Sequence, residues 1–415
     1  CLDYLRKQNL SVDYFFLNKF VPPQQFCYYH DFVLIDVPAF NPLTLEAFRI
    51  SDLVAFQQQR LETCRQKEDY YHFLRLVDPR IVLEALVRYL DVIPEADKHS
   101  LFWYAYARGE CRLEDFNPAF IRGINQFQDG PTVSGDLKGG YMQIYRGHLA
   151  RSIPVETSSS WTLDINTALA LAAPYDLEGK VYSAQVHEDD VIACMKDRFQ
   201  KEIVVYPDAL TEIKEMTFLS YQDLQPQLRK NDSLALYHDY AAALREQYFH
   251  RPRGIHGLGP TRRVLLLTLI LAHMEALDPE ERALLCQAAL FHDIGRRDDN
   301  FDPEHGRESF KKLIRYHLVD LSGESLETLR FIIENHCVSD AQAKEVLPAY
   351  NLKWPDKVLA LYKVFKDADG LDRIRISDLD VKQLRTASSR RLLLVARQLL
   401  NYTRLSPSGA PFKSL

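Results

Sequence analysis

The chain has 415 residues, 47% of them hydrophobic, and a formal net charge of −6. That length implies two or three domains, and the negative balance excludes general attraction to nucleic-acid backbones as a property of the whole molecule. Seven cysteines, an odd number without a CxxC pair, exclude a disulfide framework and a zinc ribbon and point to a reducing compartment.

The first residue is Cys1 instead of Met, as in a trimmed fragment, and no signal peptide is legible. Residues 1–135 are expected to be mostly helical, a scaffold or target-recognition region. Leu53–Leu61 and Asp78–Leu90 carry apolar residues at three- and four-residue steps. His30 to Val37 suggests one short strand. Its His30-Asp31 pair has no partner set and is not expected to bind metal. Phe102, Trp103, Tyr104 and Tyr106 are expected to form a buried helical face.

From Asp129 the glycines Gly130, Gly135, Gly139 and Gly140 make a flexible approach to a strand over Tyr141–Gly147. The run Ser158–Asp164 and a helix through Ala168, Ala170 and Ala172 follow; within that run Ser160-Trp161-Thr162 would be the bracing strand that the resemblance below implies. Strand-like runs then cover Gly179–Val186, Asp190–Cys194 and Arg198–Val205, the last with Glu202 in it. This order resembles the mono-ADP-ribosyltransferases of the Arg–Ser–Glu type, over residues 136–225. The resemblance implies a small split β-sandwich that binds NAD through Tyr145, Arg146, Gly147 and Ser160. It implies that Ser160 and Thr162 brace Glu202, which touches the nicotinamide ribose. Gln200 would face the acceptor, and a Gln there goes with a protein or nucleic-acid acceptor other than arginine. The residue types suit the chemistry. A carboxylate stabilises an oxocarbenium-like cation, and a planar Arg fork suits phosphate. The bland alternative makes Glu202 a solvated edge-strand residue and Arg146 a surface ion pair.

Gln222–Gln227 is polar and is expected to be a linker, after which helical patterning runs from Ser233 to Tyr402. Gly295, Asp302-Pro303 and Trp354-Pro355 mark turns, so residues 233–403 are expected to form an all-α domain of six or more helices. Its longest apolar run, Val264–Ala272, is too short to span a bilayer. The stretch Ala288–Arg297 carries the adjacent pair His292-Asp293. With it stand His256 upstream, then His305, His336 and the run Lys366-Asp367-Ala368-Asp369-Gly370-Leu371-Asp372. The ordered set, over residues 250–376, resembles the HD-domain phosphohydrolases. The resemblance implies a divalent ion (Mn, Fe, Mg, Ni or Zn) held by His292, Asp293 and Asp369. His305 and His336 would supply a second-metal or substrate shell. Asp369 is preferred to Asp367 because the family's closing motif matches Ala368-Asp369 and Leu371. One departure stands out: the family's first ligand is a His three residues before Arg-Val, and Pro260 occupies that place. His256 could replace it only if its loop folds inward. Arg262, Arg263, Arg296 and Arg297 flank the motifs and would suit a phosphate-bearing nucleotide.

The expectation is thus an α+β multidomain protein: a helical N-terminal region, an ADP-ribosyltransferase-like domain and an all-α HD domain. Its leading function would be NAD-dependent transfer of ADP-ribose to a macromolecular acceptor, coupled to an HD module hydrolysing a nucleotide or phosphodiester. The alternatives are an HD hydrolase with a nucleotide-sensing first domain, or an inert HD scaffold presenting a target. No membrane partner is expected. The location would be cytoplasmic, or the cytosol of a host that receives the protein as a bacterial effector or toxin.

Overall fold

The structure is a computed structural model that describes residues 9–18, 25–37, 49–109, 113, 116–125, 137–174, 179–195 and 202–405. Among these the chain is α+β, with two antiparallel sheets. Strands β1 (Phe15–Asn18), β2 (Gln25–His30) and β3 (Val33–Val37) come first. Helices α1 (Ile50–Gln66), α2 (Tyr70–Leu76), α3 (Val82–Tyr89), α4 (Glu95–Arg108) and α5 (Pro118–Asn125) follow. Then come β4 (Tyr141–His148), β5 (Ser160–Thr162), α6 (Ile165–Ala172), β6 (Lys180–His187), β7 (Val191–Met195), β8 (Glu202–Val205) and β9 (Thr211–Glu215). The remainder is helical: α7 (Tyr221–Lys230), α8 (Ser233–Ala243), α9 (Leu258–Met274), α10 (Pro279–Phe291) and α11 (His305–Arg315). It continues through α12 (Gly323–Asn335), α13 (Asp340–Val346), α14 (Pro355–Asp372), α15 (Ala387–Arg391) and α16 (Leu393–Leu405).

The chain forms two compact units. One holds Cys1–Met142, Glu156–Leu163 and Gln185–Thr211; the other holds Gln143–Val155, Asp164–Ala184 and Glu212–Leu415. The segment 136–225 therefore contributes to both.

In the first unit, β1, β2 and β3 form a meander in which Tyr28 stands opposite Phe15 on one side and Ile35 on the other. Asp31 and Phe32 both adopt left-handed backbone (φ 47° and 62°), the twist a two-residue hairpin turn needs. The His30-Asp31 pair is thus a strand end and a turn. His30 stacks on Tyr14 with ring centres 3.9 Å apart, and Asp31 takes both arms of the Arg65 fork at 2.9 Å. Sequence patterning predicted one strand here. The four-residue β1 is too short for its alternation to stand out. Helices α1–α5 supply Val54, Phe73, Leu86, Phe102, Tyr106 and Ile121 to one core with Tyr28, Val33 and Val37. Strand β8 pairs antiparallel with β5 (Thr162 opposite Glu202) and with β7 (Cys194 opposite Ile203). All four β8 residues are buried.

In the second unit, β6 lies between β4 and β9. Helix α6 lies so close to β4 that a Cβ on Gly147 would fall 2.3 Å from the Ala168 carbonyl oxygen, so only glycine fits there. The polar run expected as a linker is helix α7. Ser220 and Asp223 close a capping box, and Tyr221, Leu224 and Leu228 bury one stripe that the surrounding Gln residues hid. Helix α9 is apolar on nearly every face from Val264 to Ala272, as befits a central helix. It packs against α10 and α14. The Asn401 side chain of α16 donates to the Ala173 carbonyl at 2.5 Å. Among the described residues no helix is long and apolar enough to cross a membrane.

Candidate functional site

Two close approaches in the second unit, at Gly295 and Gly306, help assemble a cluster of histidines and carboxylates. His292 continues helix α10, its N–H bonded to the Ala288 carbonyl at 2.9 Å, so Asp293 begins the turn that leaves it. A Cβ on Gly295 would meet the Ser309 nitrogen at 2.2 Å and the His305 carbonyl oxygen at 2.6 Å. Glycine there lets the start of α11, with His305, press onto the turn. A Cβ on Gly306 would meet the Ile333 carbonyl oxygen at 2.4 Å, and its absence brings His305 against the end of α12, where His336 caps the helix. Asp369 projects from α14.

Each of the three core histidines commits its Nδ1 to a backbone carbonyl three residues earlier: His292 to Ala289 at 3.0 Å, His336 to Ile333 at 2.7 Å, and His305 to Asp302. A carbonyl only accepts, so Nδ1 carries the proton and the inward-facing Nε2 presents a lone pair. His305 Nε2 lies 3.1 Å from Asp293 Oδ1, and His336 Nε2 lies 3.8 Å from the same oxygen. His292 Nε2 lies 3.5 Å from Asp293 Oδ2 and 3.7 Å from Asp369 Oδ1. The Nε2 atoms of His305 and His336 are only 2.9 Å apart. Two lone pairs at that distance repel unless a proton or a cation is shared between them. His292, Asp293, His305 and His336 are buried.

The loop carrying His256 does fold inward. His256 Nδ1 lies 2.9 Å from Asp293 Oδ2, while Pro260 sits in the first turn of α9. Asp367 turns away from the cluster: fully buried, it accepts from the backbone of Arg385 and Thr386 and from the Ser389 hydroxyl at 2.8–2.9 Å. Asp369 is the carboxylate of that run that faces the histidines.

The cluster opens into a cavity of about 600 Å³. Arg296 lines it and donates to Asp293 Oδ1 at 2.8 Å. Arg262, Arg263 and Arg297, expected beside the site, do not line it. Arg263 is buried against Asp372 at 2.5 Å, and Arg297 faces solvent. The cations on the cavity wall are instead Lys366, Arg373, Arg375 and Arg385. Sequence reasoning passed over these four. One signal was present: Lys366 stands three residues before Asp369, on the same face of its helix.

In the first unit, Glu202 is 2% exposed and lies on a strand paired on both sides, so it is not a solvated edge residue. Ser160 Oγ donates to Glu202 Oε1 at 2.5 Å, and the Tyr106 hydroxyl donates to the same oxygen at 3.3 Å. Thr162 is the register partner of Glu202. Sequence reasoning did not find Tyr106, which arrives from α4. Tyr145, Arg146 and Gly147 belong to the second unit, on β4. Gln200 lies outside the described residues. No family model matches the chain, and no curated protein and no solved structure matches it either.

Proposed function

We propose that the second unit is a metal-dependent phosphohydrolase of the HD type, acting on a nucleotide or another phosphodiester. The observation that carries this reading is the convergence of the His292, His305 and His336 Nε2 lone pairs on Asp293 at the floor of the cavity. Imidazole nitrogens with carboxylate oxygens suit Mn, Fe, Ni or Zn better than Mg, which prefers oxygen alone. His292, Asp293 and Asp369 would hold the ion, with His256 on the same Asp293 oxygen that faces His292. When bound, a divalent ion supplies the Lewis-acid charge that phosphoester hydrolysis needs. The chain's own cations would orient the substrate's phosphate. Lys366, Arg373 and Arg375 are anchored by Asp340, Asp378 and Asp372, which fixes where each head group points. The test is metal analysis of the purified protein, followed by assay against nucleotides and phosphodiesters with and without chelator. A protein that takes up no divalent ion when offered Mn, Fe, Ni or Zn overturns this reading.

A second activity, NAD-dependent transfer of ADP-ribose to a protein or nucleic acid at a group other than arginine, is proposed for Glu202. The short Ser160–Glu202 bond favours it, because it holds a buried carboxylate in one rotamer, as stabilisation of a ribosyl cation requires. The resemblance alone assigns Tyr145 and Arg146 to NAD and Gln200 to the acceptor. Incubation with labelled NAD and a cell extract tests it: label on a macromolecule is expected, and no NAD consumption removes it.

A further inference from the structure

We propose that Cys337 is a metal ligand which, with His305 and His336, forms a second cation position that selects a thiophilic ion such as zinc or cobalt. This rests on reading the second unit as a metal centre.

The two oxygens of Asp293 face different donors. Oδ2 faces His256 at 2.9 Å and His292 at 3.5 Å, while Oδ1 faces His305 at 3.1 Å and His336 at 3.8 Å. A carboxylate whose oxygens serve separate nitrogen groups is placed to bridge two ions. Arg296 also donates to Oδ1 at 2.8 Å, which leaves that oxygen a second lone pair. One donor atom from each of His305, His336 and Cys337 lies within 4.8 Å of the others. That spread can close around a single ion with Zn–N near 2.0–2.1 Å and Zn–S near 2.3 Å after small side-chain movements. The 2.9 Å separation of the His305 and His336 lone pairs marks the same place from an independent direction.

Cys337 follows His336 at the end of α12 and lines the cavity. Its thiol donates to the Pro303 carbonyl at 3.1 Å, in the connection that leads into His305, so the sulfur is directed at the start of α11 and not at solvent. Ligation would exchange that weak S–H···O bond for a metal–sulfur bond, and the thiol proton would pass to solvent. Sulfur is what distinguishes this position: a thiolate with two imidazoles favours zinc or cobalt and disfavours magnesium and calcium.

Titration of the metal-free full-length protein with Co(II), followed by near-ultraviolet absorption, tests the proposal. Wild type is expected to bind two equivalents, with a thiolate-to-cobalt charge-transfer band growing with one of them. Cys337→Ser and Cys337→Ala should each lose the band and bind zinc at that position roughly ten- to a hundredfold more weakly. The control Cys286→Ser should keep the band, and circular dichroism should show all variants folded. Should Cys337→Ser not fold, Cys337→Ala and His305→Gln carry the same test. Cobalt bound without a charge-transfer band, or a band unchanged in Cys337→Ser, overturns the ligand assignment and leaves the metal centre standing. No cobalt bound at all overturns both.

Discussion

Among the described residues Asp293 is the carboxylate that faces both groups of imidazoles, and the proposed metal centre depends on it. Replacing it removes the negative charge that balances the site, and Asp293→Ala is expected to abolish metal uptake. His256 meets the Asp293 oxygen that also faces His292, but among the described residues it belongs to neither of the compact donor groups that could hold an ion. His256→Ala is therefore expected to weaken binding about ten- to a hundredfold, as loss of an orienting partner does. Calorimetric titration of both variants checks this; a loss as complete as that of Asp293→Ala would make His256 a primary ligand. In the first unit, Glu202→Ala is expected to lower NAD consumption by about 10²–10³, the usual effect of losing one electrostatic stabiliser. Ser160→Ala should lower it less, since Tyr106 still donates to Glu202. Wild-type NAD consumption in Glu202→Ala would remove the transferase assignment.

Elements meet in this site through missing side chains and anchored charges. Gly306→Ala would drive a methyl into the Ile333 carbonyl at 2.4 Å, pushing α11 from α12. Overpacking of this kind costs about 1–3 kcal/mol, and the displacement carries His305 away from His336. Denaturant unfolding and metal titration should therefore fall together; an unchanged midpoint would show that the helices can separate freely. A second junction joins the start of α13 to α14 and to the chain before α15. There Asp340 takes both arms of Arg385 at 2.8 Å and Lys366 at 3.0 Å. Partial burial opposes ionisation of Asp340, yet these two cations outweigh it and bring its carboxyl down from an ordinary 3.8 to about 2. A depressed carboxylate binds fewer protons in the folded state than in the unfolded one. Its stabilising contribution is thus complete above about pH 3.8 and is lost as pH falls toward 2. Asp340→Asn should flatten the acid limb of the stability profile in that window and leave neutral pH with a smaller, constant loss. An unaltered acid limb would show that Asp340 contributes nothing to it.

At the scale of the whole molecule, each unit is assembled from separated pieces of chain. The second unit's core includes Ala168, Leu169, Ala172 and Val181 beside helices that lie more than 40 residues further on. A fragment limited to residues 219–405 keeps the histidine cluster but loses α6, β4 and β6. Each large apolar side chain uncovered costs about 1.5–3 kcal/mol, against a total stability near 5–15 kcal/mol. The fragment is expected to melt well below the full chain or to precipitate. A fragment with the full chain's melting temperature would show that those segments add nothing to this unit.

Local rules written in the sequence carried a large share of this. Periodicity marked residues 233–403 as helical, because a buried helix needs apolar residues every three or four positions, but it missed α7, whose buried stripe is hidden among Gln residues. The ordered set His256, His292-Asp293, His305, His336 and Asp369, singled out by its resemblance to the HD-domain pattern, comes together around Asp293, and its role as a metal site is a proposal. Strands β4, β6, β7 and β8 were legible in their short strand-like runs, while β5 and the place of Glu202 came from the resemblance to the ADP-ribosyltransferases. Tertiary structure decided what depends on approach between distant segments. The inward fold of the His256 loop, the turning of Asp367 to Arg385 and the arrival of Tyr106 at Glu202 are such cases. So are the two sides of Asp293 and the cations that line the cavity. Side-chain direction at those points is set by backbones meeting through Gly295 and Gly306, and no pattern along one segment encodes which other segment it will meet.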